Sequence, residues 1–205
     1  DTWNTSVKKV FNITGIADGY YLIGSRVNDT AGNYVNSSNI TIQIDGNAPV
    51  IRFNDTQYSN NSVLRVNSFK INITNNETFF KNITFSLFNT TSKTLLKNYT
   101  FTSRIENVSF NSLGDGHYFY NVTGFDIGNL SSSTDTRNLS IDVNGVNIEL
   151  VSPTNNTALG STTTIFKFNA NSFTSIGNCV LYINNANYSN FTTISNPNTF
   201  TTEIA

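Results

Sequence analysis

Methionine is absent from this chain, and cysteine, histidine and tryptophan occur once each. One histidine and one cysteine cannot assemble a structural zinc site, which needs several such ligands. A lone imidazole among scattered serines offers no nucleophile–base pair, so catalysis is not expected. Charged residues make up 12% of the chain and the net charge is −1, about half the usual charged share. Lysine and arginine form no run, which excludes the electrostatic footprint of a nucleic-acid or anionic-membrane binder. No apolar run approaches the roughly 18 residues of a membrane-spanning helix. An apolar stripe of helical period is missing as well. Without a Met or a signal-peptide pattern, the first residue is expected to be a mature or an internal one.

What is abundant is asparagine. The chain holds 35, and 19 of them open an Asn-x-Ser/Thr triplet. Ser and Thr are near a quarter of the residues, so chance placement gives about 8 or 9 such sequons. A base-composition bias would raise Asn without placing a hydroxyl two positions later. The sequons start at Asn4, Asn12, Asn28, Asn36, Asn39, Asn54, Asn60, Asn72, Asn76, Asn82, Asn89, Asn98, Asn107, Asn121, Asn129, Asn138, Asn155, Asn187 and Asn190. They predict dense, covalent N-linked glycans and no other cofactor, on an extracellular, cell-surface protein. Sugars would supply the solvation that the missing charges do not, and would shield strand edges from unwanted pairing.

Several sequons have an apolar middle residue, such as Asn12-Ile13-Thr14, Asn39-Ile40-Thr41, Asn72-Ile73-Thr74, Asn82-Ile83-Thr84, Asn107-Val108-Ser109, Asn121-Val122-Thr123 and Asn138-Leu139-Ser140. On a strand, side chains alternate between faces, so this triplet sends Asn and the hydroxyl outward and the apolar residue inward. Sequons with polar middles (Asn4, Asn28, Asn36, Asn54, Asn60, Asn76, Asn89 and Asn155) are expected in turns. Short alternating runs between Asn/Gly/Ser/Thr clusters predict an all-β chain.

The chain also repeats. Asp18-Gly19-Tyr20-Tyr21 returns as Asp115-Gly116-His117-Tyr118, Asp29-Thr30-Ala31-Gly32-Asn33 as Asp126-Ile127-Gly128-Asn129, and Ile40–Gly46 as Leu139–Gly145. The copies stand 97 to 99 residues apart, the length of a small β-sandwich. Breaks at Gly46-Asn47-Ala48-Pro49 and Asn144-Gly145-Val146 divide the chain into 1–46, the closing half of a sandwich; 47–146, a complete one; and 147–205, the opening half of a third. The complete unit is expected to hold about seven strands near 50–53, 63–74, 82–88, 95–102, 105–110, 117–125 and 137–143. Its predicted core is Phe69, Ile71, Ile73, Ile83, Phe85, Leu87, Tyr118, Tyr120, Val122, Leu139, Ile141 and Val143. Tyr21 and Ile23 are expected to be core in the first copy.

This pattern of Asp-Gly-x-Tyr, an alternating strand to Asp, Gly-Asn, and a β-run ending in Asp and Ala-Pro resembles the tandem immunoglobulin-like repeats of bacterial and archaeal cell-surface proteins. Leu150-Val151-Ser152-Pro153-Thr154-Asn155-Asn156-Thr157 and Asn178-Cys179-Val180-Leu181-Tyr182-Ile183-Asn184 resemble an archaeal version. The resemblance implies tandem immunoglobulin-like (fibronectin III/cadherin-like) β-sandwiches, and a structural, non-enzymatic role as a rod, filament or fibre, with adhesion as an added role. Alternatives are an adhesin or carbohydrate-binding accessory module of a larger secreted enzyme, or a surface-layer lattice subunit. It also implies a disulfide partner for Cys179 outside this segment, because the matching positions in the other copies are Val27 and Gly124. Implied partners are further repeats of the same chain or other copies of it. The cut halves expect completion by a longer array or by a neighbouring copy.

Among possible ligands, His117 is expected to face outward without a metal. Asp29 and Asp126 are the weak calcium candidates, with Asp18, Asp45, Asp115 or Asp142 as helpers. The simpler expectation is that each carboxylate accepts backbone N–H bonds and fixes its own turn.

Overall fold

A computed structural model describes residues 8–54, 58–161, 164–191 and 198–204. No helix occurs among them. Residues 8–46 form β1 (Gly19–Ile23), β2 (Arg26–Asn28), β3 (Tyr34–Asn36) and β4 (Ile40–Ile44), with β1 antiparallel to β4 and β2 antiparallel to β3. The central unit contains β5 (Ile51–Phe53), β6 (Ser62–Leu64), β7 (Phe69–Asn75), β8 (Phe80–Asn89), β9 (Leu95–Phe101), β10 (Asn107–Phe110), β11 (Gly116–Asp126), β12 (Ser131–Ser133) and β13 (Arg137–Ile141). The third contains β14 (Val146–Ser152), β15 (Thr164–Ser172), β16 (Cys179–Ile183), β17 (Ala186–Phe191) and β18 (Asn198–Ile204).

In the central unit β10-β7-β5 form one sheet and β6-β13-β11-β8-β9 the other, with β12 beside β11. All pairings are antiparallel except β6 with β13. Every second residue of β7 and β11 is buried between the sheets. This is the immunoglobulin-like sandwich. The chain carries that fold's tyrosine corner twice, once in this unit and once in residues 8–46. Tyr118 donates its hydroxyl hydrogen to Gly114 O at 2.7 Å, and Tyr21 does the same to Ala17 O at 2.8 Å. Burial, with the Asp115 charge adding to it, raises the Tyr118 pKa, so the donor keeps its proton.

Eleven of the twelve expected core residues are buried. Val143 is not; it is 46% exposed, because β13 ends at Ile141 and the alternation stops there. Ile51, Leu64, Val108, Phe110 and Leu113 complete the core's wall. The single strand expected over 63–74 is two strands on opposite sheets, β6 and β7. Leu64 and Phe69 are both buried although their parity differs, which a continuous strand forbids.

The copies superpose in register with one spacing. Gly19 pairs with Ile44 and Gly116 with Ile141, so both strands repeat at 97 residues and the expected 99-residue match of Ile40 with Leu139 slips by two. A two-residue slip keeps every side chain on its face. Residues 8–46 hold four strands. There Ile23 is 41% exposed and Tyr21 half-buried, and no core cluster includes residues 8–46 among the described residues. In the third unit β14-β15-β18 and β16-β17 restate the opening strands of the sandwich, and Phe168, Ala170 and Cys179 begin its core. Burial raises the Cys179 thiol pKa, and the thiol is free among the described residues. No strand of 8–46 pairs with one of the third unit among the described residues.

Candidate functional site: the sequon face and the inter-repeat junctions

Asn4 and the side chain of Asn190 lie outside the described residues. No other sequon asparagine is buried; Asn72, Asn82, Asn89, Asn121 and Asn138 are half-buried and the rest exposed. The asparagine that is buried, Asn75 at 4%, opens no sequon. In the central unit the middle residues Ile73, Ile83, Val108, Val122 and Leu139 all point into the core, as the alternation requires. Ile13 and Ile40 do not, at 70% and 59% exposed. Ile13 lies outside any strand, and Ile40 opens β4, none of whose residues joins a core cluster.

Several sequon asparagines use their amide oxygen as an acceptor. Asn36 Oδ1 accepts from Arg26 Nε at 2.8 Å, Asn60 Oδ1 from Asn138 N at 2.7 Å, and Asn129 Oδ1 from Lys81 Nζ at 2.5 Å. Asn89 Oδ1 accepts from Thr91 N and Ser92 N at 2.9 Å each. Every partner is an N–H donor, so the acceptor is the amide oxygen and Nδ2, the atom a glycan would modify, points elsewhere. Asn33, Asn47 and Asn144 each donate Nδ2 to a carboxylate at 2.7 Å. None of these three opens a sequon.

Four sequons share the outer face of the β13-β11-β8-β9 sheet: Asn82, Asn98, Asn121 and Asn138. Cross-strand register arranges that face in rows, Asn138–Phe119–Phe88, then Asn121–Ser86–Asn98, then Thr123–Thr84–Thr100. Thr84 and Thr100 hydroxyls bond at 2.9 Å, and Thr123 and Ser133 at 2.7 Å. Phe88 and Phe119 stack with centroids 4.6 Å apart and planes 4° apart. This pair was missed at the sequence level; its signal is parity, since Leu87, Tyr118 and Tyr120 beside it face inward.

The junctions between units use equivalent residues of the leading unit and different ones of the following unit. Tyr20 on β1 meets Phe79, before β8, edge to face at 5.4 Å. One period later, His117 on β11 meets Phe173, before β16, at 4.6 Å. His117 faces outward as expected, and its Nδ1 lies 2.7 Å from Ser140 Oγ. At the strand ends Asp45 Oδ2 accepts from Gly128 N at 3.0 Å, and its equivalent Asp142 Oδ2 accepts from Thr174 Oγ1 at 2.6 Å. Each unit also clasps its own exit. Asp18 accepts from Gly46 N and Asn47 Nδ2, both at 2.7 Å. Asp115 accepts from Val143 N and Asn144 Nδ2, both at 2.7 Å.

These backbone donors, Gly46 for Asp18 and Val143 for Asp115, hold both carboxyls below the ordinary aspartate range. A depressed folded-state pKa stabilises above the unfolded value of about 3.9 and is lost as pH falls through the lower, folded value. Asp115→Ala should therefore flatten the acid limb of the stability–pH curve below about pH 4 and leave its slope at neutral pH unchanged. Denaturant midpoints across pH check this; an unaltered acid limb would refute the clasp.

Asp29 and Asp126 close equivalent turns. Asp29 Oδ1 accepts from Ala31 N and Asn33 N at 2.9 and 2.8 Å, and Asp126 Oδ1 from Leu130 N at 2.8 Å. The left-handed position of each turn is Gly32 (φ 90°) or Asn129 (φ 65°), residue types that tolerate it. The Asn33 side chain, foremost, holds the Asp29 pKa low. Asp126 is brought beside Asp45: a Cβ on Gly128 would lie 2.8 Å from Asp45 O and 3.3 Å from both Asp126 Oδ1 and Asp45 Oδ2. Asp45 Oδ1 and Asp126 Oδ2 are enclosed without a hydrogen-bond partner. Two carboxylates and a carbonyl fall short of the 6–8 oxygens calcium takes. No group of three His, Cys, Asp or Glu converges among the described residues.

No family model matches the chain, and no curated protein matches it. Among solved structures it is similar to the fibronectin(III)-like modules of Clostridium thermocellum CbhA, at TM-score 0.35 and 10% identity over 76% of this chain and 80% of that one. It is also similar to dimeric latent PorU from Porphyromonas gingivalis, at TM-score 0.35 and 16% identity, over 63% of this chain and 13% of that one. The sandwich assignment rests on strand order, register and the two tyrosine corners.

Proposed function

We propose that this chain is a glycan-coated spacer, a stretch of immunoglobulin-like repeats that stack into a stiff rod on the outside of a cell. The observation that carries the rod is that both junctions use the same two positions of the leading unit, though with different partners in the next: Tyr20 on Phe79 with Asp45 on Gly128, then His117 on Phe173 with Asp142 on Thr174. An aromatic contact and a carboxylate hydrogen bond at separate points restrict both bend and twist between neighbours. Repeats that each touch the next in series build a quasi-one-dimensional object. Outward sequons clothe it, and the partners are further repeats or further copies.

Small-angle X-ray scattering tests the rod. The chain should give an extended particle, and the pair Phe79→Ala with Phe173→Ala should broaden its distance distribution without unfolding the central unit. A compact particle, or an unchanged distribution, would overturn it. A second reading, a carbohydrate-binding accessory module, is favoured by the outward Phe88–Phe119 stack, whose Phe119 position is Leu22 in the first copy.

A further inference from the structure

Between β5, at the edge of one sheet of the central unit, and the β12–β13 connection on the other lies an open cleft of about 600 Å³. That volume is within the roughly 300–1,000 Å³ of small-ligand clefts. Phe53, Thr74 and Asp135 line it together with two arginines, Arg52 and Arg137. Arg137 shares the parity of the buried Leu139 and Ile141, so its side chain turns inward where β13 begins. Its guanidinium lies 4.5 Å over the Phe53 ring, and its Nη1 donates to Tyr58 O at 3.3 Å. An aromatic face and a carbonyl thus hold the fork in place, and a guanidinium has five N–H donors to offer. Neither arginine forms an ion pair among the described residues, although Asp135 lines the same cleft. The other units do not repeat this corner. In the third, Glu149 and Leu150 hold the places of Arg52 and Phe53, and in the first Ile40 pairs with Ile23 as Arg137 pairs with Tyr120. The scaffold of the repeat therefore does not require these residues.

We infer that this cleft binds an acidic sugar through its carboxylate, the group that distinguishes a uronic acid from a neutral hexose. A planar carboxylate matches the guanidinium fork with two parallel N–H···O bonds. Arg52, which is exposed, adds a second positive charge at the rim. The ring hydroxyls of such a sugar suit the exposed side chains of Thr74 and Asp135, one a donor and acceptor and the other an acceptor. Asn54 opens a sequon and also lines the cleft, so the acidic sugar comes either from the chain's own glycan or from another molecule. An inward charge near a sheet edge also deters edge-to-edge pairing. Lysine would serve that purpose equally, but it presents a point charge and not a planar fork.

The test is a titration of the secreted chain with a short oligoglucuronate, followed by NMR through the backbone N–H resonances of Arg52, Phe53 and Arg137. A neutral glucan of equal length and sodium sulfate are the controls. Only the acidic oligosaccharide is expected to give a saturable shift. Arg137→Lys should weaken binding by at least about tenfold, as expected for losing a charge-assisted hydrogen bond. Arg52→Gln changes an exposed residue, so it tests the site without disturbing the core; it should weaken binding and lessen its dependence on salt. A shift of equal size with the neutral glucan would overturn the carboxylate assignment, as would one with sulfate, which would mean an adventitious ion only. Arg137→Lys binding as tightly as the parent would overturn the role of the fork. Thr56→Ala removes the Asn54 sequon. A shift that appears only in this variant would support the site and assign its native occupant to the chain's own glycan. No shift in either chain would overturn the inference and leave the rod standing.

Discussion

Phe85→Ala is expected to lower the stability of the central unit by about 3–5 kcal/mol, the range for deleting a buried aromatic side chain. Phe85 has no exposed surface, sits on β8 between the sheets, and meets Phe101 edge to face at 6.2 Å. Its removal forfeits the transfer free energy of the ring and leaves a cavity that two hydrogen-bonded sheets cannot close. Domains of this size are stable by only about 5–15 kcal/mol, so the variant should unfold at a much lower urea concentration. Val143→Ala, at a position first expected in the same core, should shift stability by less than about 0.5 kcal/mol. Urea midpoints at constant m-value check both. Comparable losses at Phe85 and Val143 would mean that the strand registers are wrong.

The second large effect is on solubility. Enzymatic removal of the glycans should drive the chain out of solution near neutral pH. With 12% charged residues and a net charge of −1, little electrostatic repulsion is left on the bare protein. Val63, Leu95, Leu96 and Tyr99 are exposed on the central unit, and β9 is an edge strand open to pairing. Light scattering before and after deglycosylation measures this. A stripped chain that stays monodisperse at the same concentration would show that the sugars do not supply the solvation assigned to them.

Much of the fold was legible because the strands of the central unit obey a period of two with few exceptions. Phe69, Ile71 and Ile73 announce one wall, and Tyr118, Tyr120 and Val122 the other. Duplicated Asp-Gly-x-Tyr motifs gave the repeat length. What was not legible lay where alternation changes parity or stops. The switch between Leu64 and Phe69 moves the chain from one sheet to the other, and pattern alone reads through it. Val143 looked like the next inward residue, but the Asp115 clasp ends the strand before it. The junctions were invisible for another reason. Tyr20 and Phe79, or His117 and Phe173, are far apart in sequence and carry no motif; the 97-residue register makes Tyr20 and His117 equivalent but not their partners, which stand 94 residues apart. Gly124 shows the same limit. It is the position where the resembling family implies a cysteine, and here the δ-methyl of Ile51 fills the place of its Cβ, 2.2 Å away.

Site-resolved glycopeptide mass spectrometry of the chain, secreted from a cell that performs N-glycosylation, tests the central claim most directly. Of the polar-middle sequons expected in turns, Asn28, Asn36 and Asn89 instead end strands β2, β3 and β8. The account predicts sugar on the outward strand asparagines Asn72, Asn82, Asn107, Asn121 and Asn138 at occupancy no lower than on Asn60 and Asn76, which lie outside strands. A chain whose intact mass equals the bare 22.7 kDa would contradict it.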